Sequence, residues 1–188
     1  MQALEAILTR VTVPPARMAP PGPDDAALRR MLAAAAAAPD HGKLRPWRFL
    51  VVRGDGRERL GELFAAGVQA ARADVSPAEI EKQRTAPLRA PLILIAISRA
   101  DPLHPKIPSW EQEASAACAV QNLLLAAHAM GFAAKWATGG PAAAPAVGAG
   151  LGLAPGERII GIIYLGSPLE RQKLPPRLAP EAIAGNWP

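Results

Sequence analysis

Apolar positions along the chain fall into stretches of helical spacing and stretches of unbroken run. In "ALEAILTR" (residues 3–10), Leu4, Ile7 and Leu8 stand three and four apart, which puts them on one helical face. "VTVPPARMAPPGP" (11–23) then breaks any regular element with five prolines and a glycine. Asp24 or Asp25 can cap a second helix, "DAALRRMLAAAAAA" (25–38), which Pro39 terminates. "RFLVV" (48–52) reads as a strand and "RERLGELFAAGVQAARA" (57–73) as a third helix. Ser76 caps a fourth, "PAEIEKQRT" (77–85), with Pro77 at its first position and Glu79 placed for a capping box.

The second half is more apolar. "PLILIAIS" (91–98) has no polar alternation, the mark of a strand buried on both faces in mid-sheet. "SWEQEASAACAVQNLLLAAHAMG" (109–131) is apolar nearly all round from Ala114 to Met130, so it reads as a central buried helix ended by Gly131. "FAAKWA" (132–137) and "RIIGIIYLG" (158–166) are strands, and "GLGLAPGE" (150–157) between them reads as a turn. The residues after Ser167 are proline-rich and without period: a tail that wraps a partner or stays partly loose. The resulting order, α-α-β-α-α-β-α-β-β, has too many helices before the second strand for a β-α-β repeat. It predicts an α+β layered domain with a small, mostly antiparallel sheet covered by helices. A chain of 188 residues without internal linker or repeat reads as a single domain, 1–188.

Composition narrows the chemistry. No apolar run approaches the ~18 residues of a membrane span, and the N-terminus lacks the basic start and apolar core of a signal peptide. A cytoplasmic location, with no membrane partner, is the expectation. Cys118 is the sole cysteine, so no internal disulfide forms, and three scattered histidines without a ligand motif leave no metal expected. A net charge of +5 suits an anionic partner such as nucleic acid, an acidic surface or a phosphorylated cofactor. No nucleic-acid motif accompanies that charge, and none is expected as partner; a basic nucleic-acid-binding domain rests on charge alone. There is no G-x-S-x-G, no Walker loop, and no G-x-G-x-x-G between strand and helix. The residues by themselves give an α+β domain with a basic bias and no catalytic constellation.

Four segments in register add to this. "MQALEAILTR", "APDHGKLRPWRF", "WEQEASAACAVQNLLLAAHAMGFAAKWATG" and "GLGLAPGERIIGIIYLGSP" together resemble the nitroreductase family of flavin enzymes, in its short YdjA-type branch, along nearly the whole chain. The resemblance implies a homodimer with FMN at the subunit interface. It implies ping-pong transfer of hydride from NADH or NADPH to the flavin, and then to nitroaromatics, quinones or a similar small-molecule electron acceptor.

The resemblance also implies a site. Arg10 and Thr12 match the basic and hydroxyl positions of an Arg-Arg-Ser phosphate grip; Val11 takes the place of the second arginine, and Val13 offers no charge. Arg171, with Lys173 as the weaker candidate, stands where the family carries a basic residue for the phosphate. "APDHG" matches the turn that reaches the partner's flavin. There His41 donates a hydrogen bond to the ring or ribityl chain, or stacks on it, and Gly42 allows close approach. Trp136, Ala137, Thr138 and Gly139 match the segment along one flavin face, where a backbone amide reaches toward the flavin N5. No protein acid or base is implied. Trp47 reads as a core and interface anchor, and His128 as a hydrogen-bonded core histidine. The missing cation at Val11 leaves open a flavin-binding protein with little reductase activity.

Overall fold

The computed structural model describes residues 2–187. Its sheet is organised around β3 (Leu92–Ser98), every residue of which is buried. Two antiparallel neighbours flank it, β2 (Trp47–Val52) on one edge and β5 (Arg158–Pro168) on the other. The far edge of β5 takes β4 (Ala133–Ala137), and its last residues pair with the two-residue β1 (Met18–Ala19). Among the described residues every strand pairing is antiparallel.

Side chains alternate across a strand, and β3 therefore serves two cores. Leu92, Leu94 and Ala96 face a layer made by α2 (Asp25–Ala36) and α5 (Ser109–Ala129), against Leu28, Met31, Val120 and Leu123. Ile93, Ile95 and Ile97 face the opposite layer. There they meet Leu60 and Phe64 of α3 (Gly56–Ala71) and Val147 of α7 (Pro145–Gly150). The unbroken apolar run is thus a consequence of cover on both sides. The remaining helices are α1 (Ala3–Thr9), α4 (Pro77–Thr85) and α6 (Gly140–Ala143).

The helix ends follow the sequence signals, with one exception. The Asp24 carboxylate accepts from the Ala27 N–H at 2.8 Å. Past α5, Gly131 sits at φ +84°. Its N–H reaches the His128 carbonyl, and the Phe132 N–H reaches the Ala127 carbonyl, each at 2.9 Å, the paired bonds of a Schellman end. At α4, Ser76 Oγ accepts from the Glu79 N–H at 3.2 Å, but the reciprocal half of the capping box is replaced: the Glu79 carboxylate takes Gln83 Nε2 at 2.7 Å and Lys82 Nζ at 3.1 Å. A partner one turn ahead on the same face outcompetes a backbone amide.

Two further expectations are corrected. α5 buries one face, through Ala116, Ala119, Leu123 and Ala127, while Ala114 is exposed and Ala117 and Cys118 are half-buried. The segment between β4 and β5 holds α6 and α7, so Gly150 ends a helix and only the residues after it form the turn. Among the described residues no helix is long and apolar enough to cross a membrane.

Candidate functional site

The first group of site residues lies where α1 ends. Thr9 Oγ1 donates to the Glu5 carbonyl at 2.6 Å and lies 2.9 Å from His128 Nε2. A hydroxyl has one proton to give, so Nε2 carries the proton and Thr9 accepts it. This bond ties the end of α1 to the last turn of α5. Burial, then the charge of Arg10, lower the pKa of His128, against an opposing effect of Glu5. The chain beyond runs alongside β4, where the Val13 N–H donates to the Ala134 carbonyl at 3.0 Å. Val13 is buried in the core on the α3 side, and the little surface it keeps lines the groove beside His128 and Phe132.

The tail returns to this place. Arg10, Thr12, Lys173 and Arg177 line one groove of about 320 Å³, and no carboxylate lines it. Arg177 Nη2 donates to the Arg10 carbonyl at 2.7 Å. Burial and then the charge of Arg177 lower the pKa of Arg10. Like charges gathered without a counter-charge give the groove a positive potential. Arg171 does not join them: it lines an adjacent, more apolar groove with Val11, Phe132, His128 and Leu174. Lys173, the lesser candidate from sequence, is the one beside Arg10, and Arg177 was missed because the tail has no period to place it. The only signal for it was the basic spacing of "RQKLPPR".

The second group follows along β4. The Ala134 carbonyl points away from β5, toward Val13. In an antiparallel strand the orientation repeats every second residue, so the N–H and C=O of Trp136 face the same open edge. The Trp136 indole turns inward and donates to the Ile160 carbonyl at 2.8 Å. Thr138 and Gly139 are exposed just beyond the strand. Thr138 forms the ridge between two grooves, one of about 620 Å³ toward α6 and α7 and one of about 540 Å³ toward Trp110 and Arg158. From Ala134 to Thr138 the chain advances about 13 Å. The cation groove and the 136–139 segment therefore lie at two ends of one strand edge.

His41 lies elsewhere. Its Nδ1 is 2.8 Å from Glu111 Oε2, and the side chain is exposed. A carboxylate only accepts, so Nδ1–H is the donor and Nε2 faces outward. In the neutral ring Nε2 accepts, and in the protonated ring it donates. His41 is thus fixed at the first turn of α5, and Arg10 at the last. Glu111 and His128 are 17 residues apart, about 25 Å along a helix. One chain does not bring His41 and Arg10 together.

The turn bearing His41 is locally strained. Gly42, Lys43 and Arg45 have φ of 73°, 55° and 51°, and the last two carry side chains that make this region unfavourable by roughly 1 kcal/mol each. Asp40 holds it: its Oδ2 accepts from the Arg45 N–H at 2.6 Å. Gly42 lies against Ile107. The buried Gln112 in turn pins the 99–108 loop, donating to the Asp101 and Ile107 carbonyls and accepting from the Asp101 N–H, each at 2.9 Å.

Comparisons with known proteins identify the family. The model of the Nitroreductase family matches residues 18–167. YdjA of Escherichia coli (strain K12), named as a candidate NAD(P)H nitroreductase, is 40% identical over 168 residues, 89% of each chain. A nitroreductase-like family protein from Bacillus cereus superposes with a TM-score of 0.85 at 22% identity, covering 100% of this chain and 96% of that one. A candidate nitroreductase from Desulfovibrio desulfuricans, in complex with FMN, superposes with a TM-score of 0.74 at 25% identity, covering 100% and 98%. With its family matched from Met18 to Ser167 and its sheet and helices superposing on solved members along their whole length, the chain belongs to the nitroreductase family of oxidoreductases.

Proposed function

We propose that the protein is an FMN-dependent oxidoreductase that takes hydride from NADH or NADPH and passes it to nitroaromatics, quinones or similar small acceptors, in alternation at one site. One observation carries the reading: a groove lined by cations and by no carboxylate lies at one end of the β4 edge, with the exposed residues Thr138 and Gly139 at the other. That layout suits a ligand with a phosphate at one end and a flat ring at the other.

Arg10 and Lys173 hold the phosphate by charge, and the Thr12 hydroxyl adds a hydrogen bond. Val11 and the 136–139 segment border the path of the ligand between the two ends. The outward Trp136 amide, the Ala137 backbone and the exposed Thr138 and Gly139 would border the ring, and an amide there would favour negative charge on it. FMN supplies the two-electron hydride chemistry when bound; the protein orients the ring and leaves one face open to both substrates. Protons come from solvent. The chain acts as one FMN-binding unit, 1–188. In a homodimer related by a two-fold axis, His41 of one protomer meets the site containing Arg10 of the other, which the 25 Å separation along α5 demands of any shared site. Arg171, one groove away, adds long-range attraction for the anion.

The absence of charge at Val11 supports a second reading, a flavin-binding protein with little reductase activity. It loses force because Val13 is a core side chain and Lys173 stands in the groove. Titrating the purified protein with FMN, by flavin fluorescence and by sedimentation, tests the reading. Saturable uptake by a dimer is expected, and failure of the protein to take up FMN contradicts it.

A further inference from the structure

Gln112 holds the 99–108 loop from the α5 side, and a second side chain, His104, holds it from within. Its Nδ1 accepts from the Ile107 N–H at 2.9 Å and from the Lys106 N–H at 3.3 Å. The backbone N–H of His104 reaches the Asp101 carbonyl at 3.4 Å. Two backbone donors at one ring nitrogen fix the tautomer: Nδ1 is bare and the proton sits on Nε2. These bonds seat Ile107, whose buried side chain lies against Gly42. Gly42, Lys43 and Arg45 are the left-handed residues of the turn that carries His41. A strained turn persists only where its surroundings over-determine it. Here Ile107 is one support and the Asp40 carboxylate, accepting from the Arg45 N–H, is another. A short line of contacts thus runs from the His104 ring through Ile107 and Gly42 to the His41 turn.

We propose that His104 is a positioning residue: its neutral ring ties the 99–108 loop to the His41 turn, and protonation of that ring in mild acid releases the tie. A protonated imidazole carries a hydrogen on both nitrogens and accepts at neither, so the Ile107 and Lys106 N–H groups lose their partner together. The charged groups on the elements packed here are Asp101 and Lys106 of the loop, Asp40, His41, Lys43 and Arg45 of the turn, and Glu111 of α5. Each carboxylate already accepts elsewhere: Asp101 from the Leu103 N–H at 2.8 Å, Asp40 from the Arg45 N–H and Glu111 from His41. Between about pH 8 and pH 5 only the two imidazoles of this set change charge, and they respond differently. His41 keeps its Nδ1–H on Glu111 in both forms, whereas His104 loses both of its ring bonds. The loop is therefore closed at neutral and alkaline pH and opens as pH falls. The release is local, because Gln112 continues to hold the Asp101 N–H and the Asp101 and Ile107 carbonyls. What the turn does for a partner's flavin rests on the functional reading above; the tie itself does not.

Amide hydrogen exchange of the full-length protein, followed by NMR at about pH 8 and about pH 5.5 and corrected for the intrinsic effect of pH on exchange, reads the tie residue by residue. In the wild type the amides of Lys106, Ile107, Lys43 and Arg45 are expected to exchange about five- to tenfold faster at the lower pH, the loss of one net hydrogen bond. His104→Asn places an amide oxygen where Nδ1 stood and does not titrate, so its loop stays closed at both pH values; His104→Ala is open at both. Slow exchange in β3 shows that each variant is folded. Wild-type exchange that is the same at the two pH values overturns the inference. So does a pH step that survives in His104→Asn, which moves the switch to His41. A loop that opens while Lys43 and Arg45 stay protected removes the tie to the turn and overturns it as well. The measurement needs no flavin, so its failure is distinct from a failure of the reductase reading.

Discussion

Glu157 shows how one side chain can hold the end of a sheet. Its carboxylate accepts from Arg48 Nε at 2.7 Å and Nη2 at 2.5 Å, receives the Ala154 N–H at 3.0 Å, and lies 3.5 Å from Arg99. The Arg48 hydrogen bonds, chiefly, hold its pKa down at about 2, against the opposing effect of burial. A carboxyl whose folded pKa is depressed stabilises the fold above its unfolded value and loses that contribution as pH falls toward the folded value. The window runs from about pH 5 down to about pH 2, and the contribution at neutral pH is on the order of 2–3 kcal/mol. Glu157→Gln is expected to lower stability at pH 7 by about 1–3 kcal/mol and to flatten the acid limb. Urea denaturation at a series of pH values measures both. Sequence placed Glu157 in a glycine-rich turn and gave it no role, because its partners Arg48 and Arg99 are distant in sequence. Arg10 and His41 were legible only through the family pattern. That Nδ1 of His41 is taken by Glu111, 70 residues away, depends on tertiary packing no local signal encodes.

At the scale of elements, strong periods were read well and short pieces were not. β3 was placed within a residue at its start because seven consecutive buried positions leave no polar break. Ile95→Ala, at its fully buried centre, is expected to destabilise by about 2–5 kcal/mol in denaturant melts. α6 and α7 were missed since "GGPAAAPAVGAG" offers no periodic face, and Pro141 and Pro145 resemble breakers although each occupies a first turn, where proline is tolerated. The 99–108 loop carries no periodic signal in the sequence. Its order comes from Gln112, a residue that sequence gives no reason to bury. Gln112→Leu leaves three backbone groups of that loop without partners. Hydrogen exchange is expected to accelerate across 99–108 and to spare β3 and β5. Unchanged protection there would show that the loop is ordered by something else.

At the scale of the molecule, the separation of His41 from Arg10 along α5 has a direct consequence. If each site takes Arg10 from one protomer and His41 from the other, Arg10→Ala and His41→Ala homodimers each carry two damaged sites. Mixing them produces a heterodimer with one doubly damaged site and one intact site. Flavin uptake and turnover in the mixture are expected to exceed those of either parent; a mixture equal to the average of its parents would place His41 outside the site. The half-open outer face of α5 fits the same account. Sequence overstated the burial of this helix because small apolar residues such as Ala114 and Ala117 read the same on a covered face and on an open one.

The most direct test of the central claim is spectroscopic and anaerobic. The protein is loaded with FMN, freed of excess, and mixed with NADH or NADPH; a nitroaromatic or a quinone is added afterwards. The account predicts that at least one nicotinamide bleaches the oxidised flavin band and that the acceptor restores it, in two steps separable in time. A bound flavin that neither nicotinamide bleaches would contradict it, and would leave a protein of nitroreductase fold that holds FMN without using it for reduction.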